Sequence, residues 1–214
     1  MINIVTILII GLSGGFGGFG GYMTVTDLSG INSALTTHGI NGFSRQSFGW
    51  GGLGYGIVEK VWIGGGGFGC NQTVTSDSLE IVLSGGGGYF ELGYTVLEKN
   101  NVIGGVTIGL GGYGYDLMLK PSNGDQTFDS LLVNPRRSTV VHIKSTLSIM
   151  PSVNFAVLLN RFAGILVKFG YAVYTKPVWK LSDGGEVMNP PEFSRSSFVA
   201  SFNVVFGGWG RKGS

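Results

Sequence analysis

Eight long runs of strand-forming residues, joined alternately by short turns and longer loops, constrain this chain more than any other feature. The runs cover 4–24, 47–57, 61–74, 79–97, 101–119, 138–158, 162–175 and 196–209. Each is rich in Val, Ile, Phe, Tyr, Trp or Thr, interleaved with Gly and ended by charged or turn-forming residues. Val58-Glu59-Lys60, Glu98-Lys99-Asn100 and Asn160-Arg161 read as tight hairpin turns. The remaining connections are 25–46, 75–78, 121–137 and 176–195, and three of these four exceed 15 residues. In an up-and-down meander, such alternation sends every tight turn to one end and every long loop to the other. Small membrane barrels have this asymmetry and an even strand number. The expected fold is all-β: an eight-stranded antiparallel up-and-down β-barrel, with residues 1–214 as a single domain. Residues 1–13 read either as a signal remnant or as the start of the first strand.

Composition removes the competing classes. Forty of 214 residues are glycine, well above the usual ~7%. Only 12% are charged and mean hydropathy is +0.30, the reverse of a disordered chain. Glycine does not recur at every third position, so collagen is out. The net charge of +2, with no basic run longer than Arg136-Arg137, gives no case for nucleic acid. Cys70 is the single cysteine and makes no internal disulfide. No metal-ligand spacing and no cofactor motif stands out, and Asp125 with Asp129 is at best a weak calcium suggestion. The stretch Gly15-Phe16-Gly17-Gly18-Phe19-Gly20 matches GxGxxG, but Gly21-Tyr22-Met23-Thr24-Val25-Thr26 is β-prone, so no helix follows to hold a phosphate.

Side-chain alternation assigns the faces. Tyr89, Glu91, Gly93 and Thr95 share one face of their run, against Phe90, Leu92, Tyr94 and Val96. Ser197, Val199, Ser201 and Asn203 oppose Phe198, Ala200, Phe202, Val204 and Phe206. In the sixth run the more polar face reads Val140, His142, Lys144, Thr146 and Ser148. Of the charged residues, only Glu91, Lys144 and Lys168 fall well inside strands, each on a more polar face. A soluble sheet studs its wet face with Lys, Glu and Arg, whereas these faces carry Ser, Thr, Gly and Asn. They suit a narrow, side-chain-filled lumen. Glu91 and Lys168 lie at similar distances from their short turns, so they are expected to pair across the lumen, because neither charge should be buried alone. Lys144, with Asp116 or Glu80, is the candidate for a second cluster nearer the mouth. Trp62, Tyr94 and Trp209 are candidate interfacial aromatics.

Glycine carries two readings that the sequence leaves open. It permits the coiling that closes a small barrel and makes room for inward Tyr89 and for Trp50 or Tyr55. Alternatively, it leaves a bare backbone surface where a second copy packs, making the chain a homo-oligomer through its glycine-rich strands. If Glu59 centres the first tight turn, Gly52 and Gly54 oppose Gly66 and Gly64. If Lys99 centres the second, Gly87 opposes Gly111. In the first long loop, Asp27 caps a short helix with Leu28, Ile31 and Leu35 on one face, and Gly39 ends it.

Turn–loop alternation and Gly-aromatic strands such as Ser84-Gly85-Gly86-Gly87-Gly88-Tyr89-Phe90-Glu91-Leu92-Gly93-Tyr94 make the chain similar to the small outer-membrane barrel class, with the layout of the OmpA transmembrane domain and OmpX. It also resembles glycine-rich bacterial barrel proteins of uncharacterised function. The resemblance implies a bacterial outer-membrane or cell-envelope location, membrane lipid as partner, and a structural or adhesive role exercised through the long loops. Some barrels of this size modify lipids; the lipid A deacylases place His and a nucleophilic Ser two residues apart on one strand. Here Lys144 stands at that spacing from His142, and Ser145 falls on the other face. His38 is the only other histidine. The expectation is therefore a chain that is not an enzyme. The alternative class is a soluble, extracellular barrel or sandwich that binds an apolar ligand or self-assembles into a polymer.

Overall fold

The computed structural model describes residues 12–99, 101–121 and 138–209. In chain order these form β1 (Leu12–Thr26), α1 (Ser29–Thr37), β2 (Gln46–Val58), β3 (Val61–Thr75), β4 (Leu79–Lys99), β5 (Val102–Pro121), β6 (Thr139–Leu158), β7 (Ala163–Tyr174), β8 (Val178–Leu181) and β9 (Ser196–Trp209). Hydrogen bonding runs β1-β2-β3-β4-β5-β6-β7-β9 and returns to β1, antiparallel throughout. The ring of eight strands is therefore closed, and each strand of the ring is paired on both sides over part of its length. The GxGxxG stretch lies within β1, paired on both sides. Of the segment 1–13, residues 1–11 lie outside the described residues, as do Asp125 and Asp129.

The short strand β8 was not expected, and geometry accounts for it. Strand β6 is 20 residues long, whereas β7 has only 12. β7 reaches Ser148 of β6 and stops, leaving residues 141–144 of β6 without that neighbour. β8 supplies the missing pairing, with Trp179 opposite Ile143.

The first hairpin is tighter than a turn centred on Glu59. Val58 pairs directly with Val61, and Glu59 has φ of 55°, as the first central position of a primed two-residue turn requires. The register moves by one, so Gly52 meets Gly67 and Gly54 meets Gly65. In the second hairpin Lys99 pairs with Val102, and an irregularity between Thr95 and Leu97 shifts the ladder again. Gly87 consequently faces Tyr113, while Gly111 faces Tyr89.

A bulge in β6 has larger consequences. Gly111 pairs with Ser148 but Tyr113 pairs with Ser145, so β6 holds one extra residue at this point. Because side chains alternate with period two, an extra residue exchanges the two faces beyond it. Ser148, Met150, Ser152 and Asn154 point inward on one side of the bulge; on the other it is Val141 and Ile143 that are buried. The uniform polar face expected for 140–148 does not exist.

Helix α1 follows β1 directly. The cap position falls on Leu28 and not on Asp27 as expected; the Asp27 carboxylate, one residue earlier, accepts the Ser29 N–H at 3.1 Å, and Gly39 leaves the helix with φ of +72°, conformational space open to a glycine. Leu28 and Ile31 are buried among Phe43 and the inward residues Tyr22, Ile81, Leu83 and Tyr115. From the opposite loop, Phe193 packs on Tyr115 and on Trp179. These side chains fill the long-loop mouth.

Candidate functional site

The interior has three levels. Near the tight turns, Phe16, Leu53, Tyr55, Ile57, Trp62, Ile103, Ala156, Leu166 and Val205 form an apolar floor. Trp62 meets Phe16 and Tyr55 edge-on at 5.8 and 5.4 Å between ring centroids. At the long-loop end is the apolar cluster covered by α1. Between them lies a polar waist of Glu91, Lys168, Thr107, Ser152, Asn154, Ser201 and Asn203, every member buried.

Glu91 and Lys168 meet in this waist as an ion pair, both side chains inaccessible to solvent. The carboxylate also accepts hydrogen bonds from the Tyr55 hydroxyl and from Ser152 Oγ at 3.1 Å. Lys168 lies 4.1 Å from the centroid of the Tyr89 ring and 3.5 Å from the Tyr55 hydroxyl. A second tier holds the first. Thr107 bonds Ser152 at 3.0 Å, and Asn154 Nδ2 donates to Thr107 Oγ1 at 2.9 Å. Charges taken this far from water persist only when paired and hydrogen-bonded. Sequence reasoning missed Tyr55, Ser152 and Asn154 as partners, although the alternation Ser152-Val153-Asn154-Phe155 carried the signal.

Lys144 does not belong to the lumen. It is exposed on the outer wall, opposite Gly114 and Val178, because it lies beyond the β6 bulge. Its candidate partners are engaged elsewhere: Asp116 with His142 at 2.5 Å and Glu80 with Lys120 at 3.3 Å. His142 faces outward beside Lys144, and among the described residues no Ser, Thr or Cys side chain bonds its ring. His38 is exposed at the end of α1.

The aromatic candidates separate. Tyr94 is exposed on the outer wall opposite Val61, beside the Glu59-Lys60 turn. Trp62 is corrected: it is fully buried and donates from Nε1 to Thr95 Oγ1 at 2.7 Å, since its parity from the two-residue turn aims it inward. The backbone of Trp209 pairs with Gly14, and its side chain lies outside the described residues.

The outer wall carries Phe19, Phe48, Trp50, Phe90, Leu92, Val106, Ile108, Leu110, Ile149, Phe155, Phe169, Phe202, Val204 and Phe206, all exposed. Toward the long-loop end it turns polar, at Asn71, Ser84, Asp116 and His142. The ion pair is thus enclosed between two apolar clusters, while a further set of large apolar side chains lines the outer wall.

No family model and no curated protein matches the chain. Among solved structures, it is similar to the crystal structure of the outer membrane protease OmpT from Escherichia coli. The identity is 8% over 91% of this chain and 96% of that one, with a TM-score of 0.38. That structure is a protease, whereas the expectation for this chain was that it is not an enzyme; the expectation is not carried forward. A likeness this slight assigns no catalysis to the chain either.

Proposed function

We propose that this chain is a membrane-embedded β-barrel of the bacterial outer-membrane kind, acting through the surface built by its long-loop end. One observation carries the reading: the wall exposes a belt of large apolar side chains while Glu91 and Lys168 are buried as a pair inside. A monomer in water rarely exposes an apolar surface this continuous, whereas lipid requires it. A side-chain-filled interior offers solutes no open path, which leaves the loop end as the polar surface available to a partner. A structural or adhesive role, made by contacts of α1 and the 182–195 connection, follows from that division of labour.

Fractionation tests the membrane placement. The protein should stay with carbonate-washed membranes until detergent is added. The extracted band should migrate differently on gels before and after boiling, as a closed barrel unfolds only on heating. Release into buffer without detergent would remove the lipid-facing wall from the account and turn the apolar belt into a contact between soluble subunits.

A further inference from the structure

Six of the eight tyrosines, Tyr22, Tyr55, Tyr89, Tyr113, Tyr115 and Tyr174, lie in the lumen, and only Tyr94 and Tyr171 face outward. The inner rings form a continuous file. At the long-loop mouth Trp179, 8% exposed, meets Phe193 at 6.3 Å between ring centroids, and Phe193 meets Tyr115 at 4.9 Å. Tyr115 leads to Tyr113 at 5.2 Å, and Phe68 joins Tyr113 to Tyr22 at 5.6 and 5.1 Å. The Tyr22 and Tyr89 hydroxyls lie 3.4 Å apart. Lys168 Nζ then stands between the Tyr89 ring and the Tyr55 hydroxyl, and Tyr55 ends the file against Trp62.

Packing alone does not call for these hydroxyls. Those of Tyr22 and Tyr89 bond each other, as do those of Tyr113 and Tyr115 at 3.2 Å. A bonded pair replaced on both sides by apolar groups of the same shape loses little stability, so phenylalanine would fill much of the file as well. Phenol differs from phenyl in giving up an electron when its proton has somewhere to go. Among the described residues, Tyr55 is the only tyrosine whose hydroxyl donates to a carboxylate, that of Glu91.

We infer that Tyr55 is a redox-active tyrosine, oxidised along the file by a one-electron oxidant at the long-loop mouth, with Glu91 as the acceptor of its proton. The oxidant gains the electron that Tyr55 loses. The phenolic O–H bond breaks, its proton forms an O–H bond on the Glu91 carboxylate, and a neutral tyrosyl radical remains beside a neutral acid. The net positive charge left behind is the Lys168 ammonium, already housed against the Tyr89 ring. At Tyr22 or Tyr113 the proton would have to move onto another phenol and create a new charge in the interior. Proton transfer needs an acceptor within hydrogen-bond reach, so the oxidising equivalent settles at Tyr55, which is 3% exposed and shielded from solutes. A one-electron reductant at the same mouth reverses the step, and Glu91 returns the proton. The relay needs no membrane and stands apart from the role proposed for the loops.

Full-length protein carrying Tyr94→Phe and Tyr171→Phe, which remove the two outer phenols, is oxidised in detergent micelles by tris(bipyridine)ruthenium(III). The oxidant is generated by a laser flash with persulfate as electron acceptor, and tyrosyl radical is followed by optical absorption and EPR. A long-lived tyrosyl signal should form and should be lost in Tyr55→Phe. It should also be lost in Glu91→Gln/Lys168→Met, which removes the proton acceptor without stranding a charge; heat-modifiable migration checks that each variant is a closed barrel. A signal that survives in Tyr55→Phe overturns the assignment, as does the absence of any tyrosyl radical while free tyrosine in the same micelles is oxidised. In protein refolded in D2O, so that the buried hydroxyl carries deuterium, the radical should form several-fold more slowly. Equal rates in the two solvents, a result that depends on no variant folding, would overturn the role of Glu91.

Discussion

Glu91→Gln, Lys168→Met and their combination measure how far the barrel depends on its buried pair. In Glu91→Gln the Lys168 ammonium loses its counter-charge and keeps only neutral partners: an amide oxygen, the Tyr55 hydroxyl at 3.5 Å and the face of Tyr89. None of them neutralises it, and it has no access to water. The new amide also turns donor hydrogens toward Tyr55 or Ser152, which now donate to the carboxylate. Stranding one member of a buried pair costs about 3–5 kcal/mol. Lys168→Met strands the carboxylate instead, which retains Tyr55 and Ser152 as donors, so the loss should fall near the lower end of that range, about 3 kcal/mol. The double variant removes both charges and places an unbranched apolar chain where the lysine stem ran. Its loss should be about 0–2 kcal/mol, because buried pairs gain little over apolar replacements of similar volume. Independent effects would sum to about 6–8 kcal/mol, so the pair should show a coupling of about 4 kcal/mol or more, far beyond the ~0.5 kcal/mol scatter of additive sites. Urea titrations of the barrel in detergent micelles, followed by heat-modifiable migration and extrapolated linearly, give the three values. A double-variant loss equal to the sum of the singles would refute the argument. Glu91 and Lys168 would then contribute independently despite their contact.

Val204→Arg and Ser84→Arg both alter exposed outer-wall positions, but only the first lies within the apolar belt. In vesicles they should cost about 2–4 and about 0–1 kcal/mol respectively, and equal losses in urea refolding would contradict the assignment of depth. Gly85→Ala should destabilise by about 1–3 kcal/mol, since its Cβ would fall 2.5 Å from the Tyr115 ring, whose hydroxyl is held by Thr26 at 2.9 Å. Gly112→Ala, in open space, should stay within about 0.5 kcal/mol, and similar unfolding midpoints for the two would refute the contact. The Ser29 N–H holds the Asp27 carboxyl below its usual range. A depressed folded-state pKa adds stability above the unfolded value of ~3.9 and loses it as pH falls through the folded value. Protection of the α1 amides, taken relative to the intrinsic exchange rate at each pH, should therefore fall as the pH is lowered below ~4. Asp27→Ala should abolish that pH dependence and lower the protection at neutral pH, and an unchanged profile in the variant would refute a stabilising role for the Asp27–Ser29 contact.

The ring itself was readable because its signals are local. Strand runs and turn residues each depend on a few adjacent side chains, and the expected bounds fall within a few residues of those observed for the strands other than β8, the start of the first run at residue 4 lying outside the described residues. Glu91 and Lys168 were readable as a pair because their separations from the short turns set similar depths, and small slips of register do not move a charge far along the lumen. Side-chain facing behaved differently. Parity is lost completely on a slip of one residue, so the β6 bulge sent Lys144 outward and the two-residue turn at Glu59 sent Trp62 inward. Neither irregularity has a signature of its own in the sequence: the bulge lies in Ser145–Ser148, a stretch that would pair just as well without it. β8 was invisible for a related reason. Four residues after Pro177 become a strand only because β7 ends early and leaves part of β6 without a neighbour.

Glycine shows why a single composition supported two readings at once. In the run 64–67, Gly64 and Gly66 lie on the inner face, where a Cβ would meet the Tyr55 ring at 2.7 Å or the Tyr89 hydroxyl at 2.9 Å. Gly105 likewise leaves room for the Trp62 ring, which its Cβ would approach to 3.1 Å. Inner glycines therefore set the volume into which aromatic rings fit, and a narrow lumen can hold Tyr55, Tyr89, Tyr113 and Tyr115 because glycine stands opposite or beside each. Gly65 and Gly67 belong to the other face, as do Gly21, Gly69 and Gly112. There the absent side chain shapes the wall itself, leaving hollows between exposed aromatic residues. A run of four glycines thus alternates two functions with the period of the strand. Only register, fixed by the turns and bulges, decides which glycine serves the core and which serves the surface.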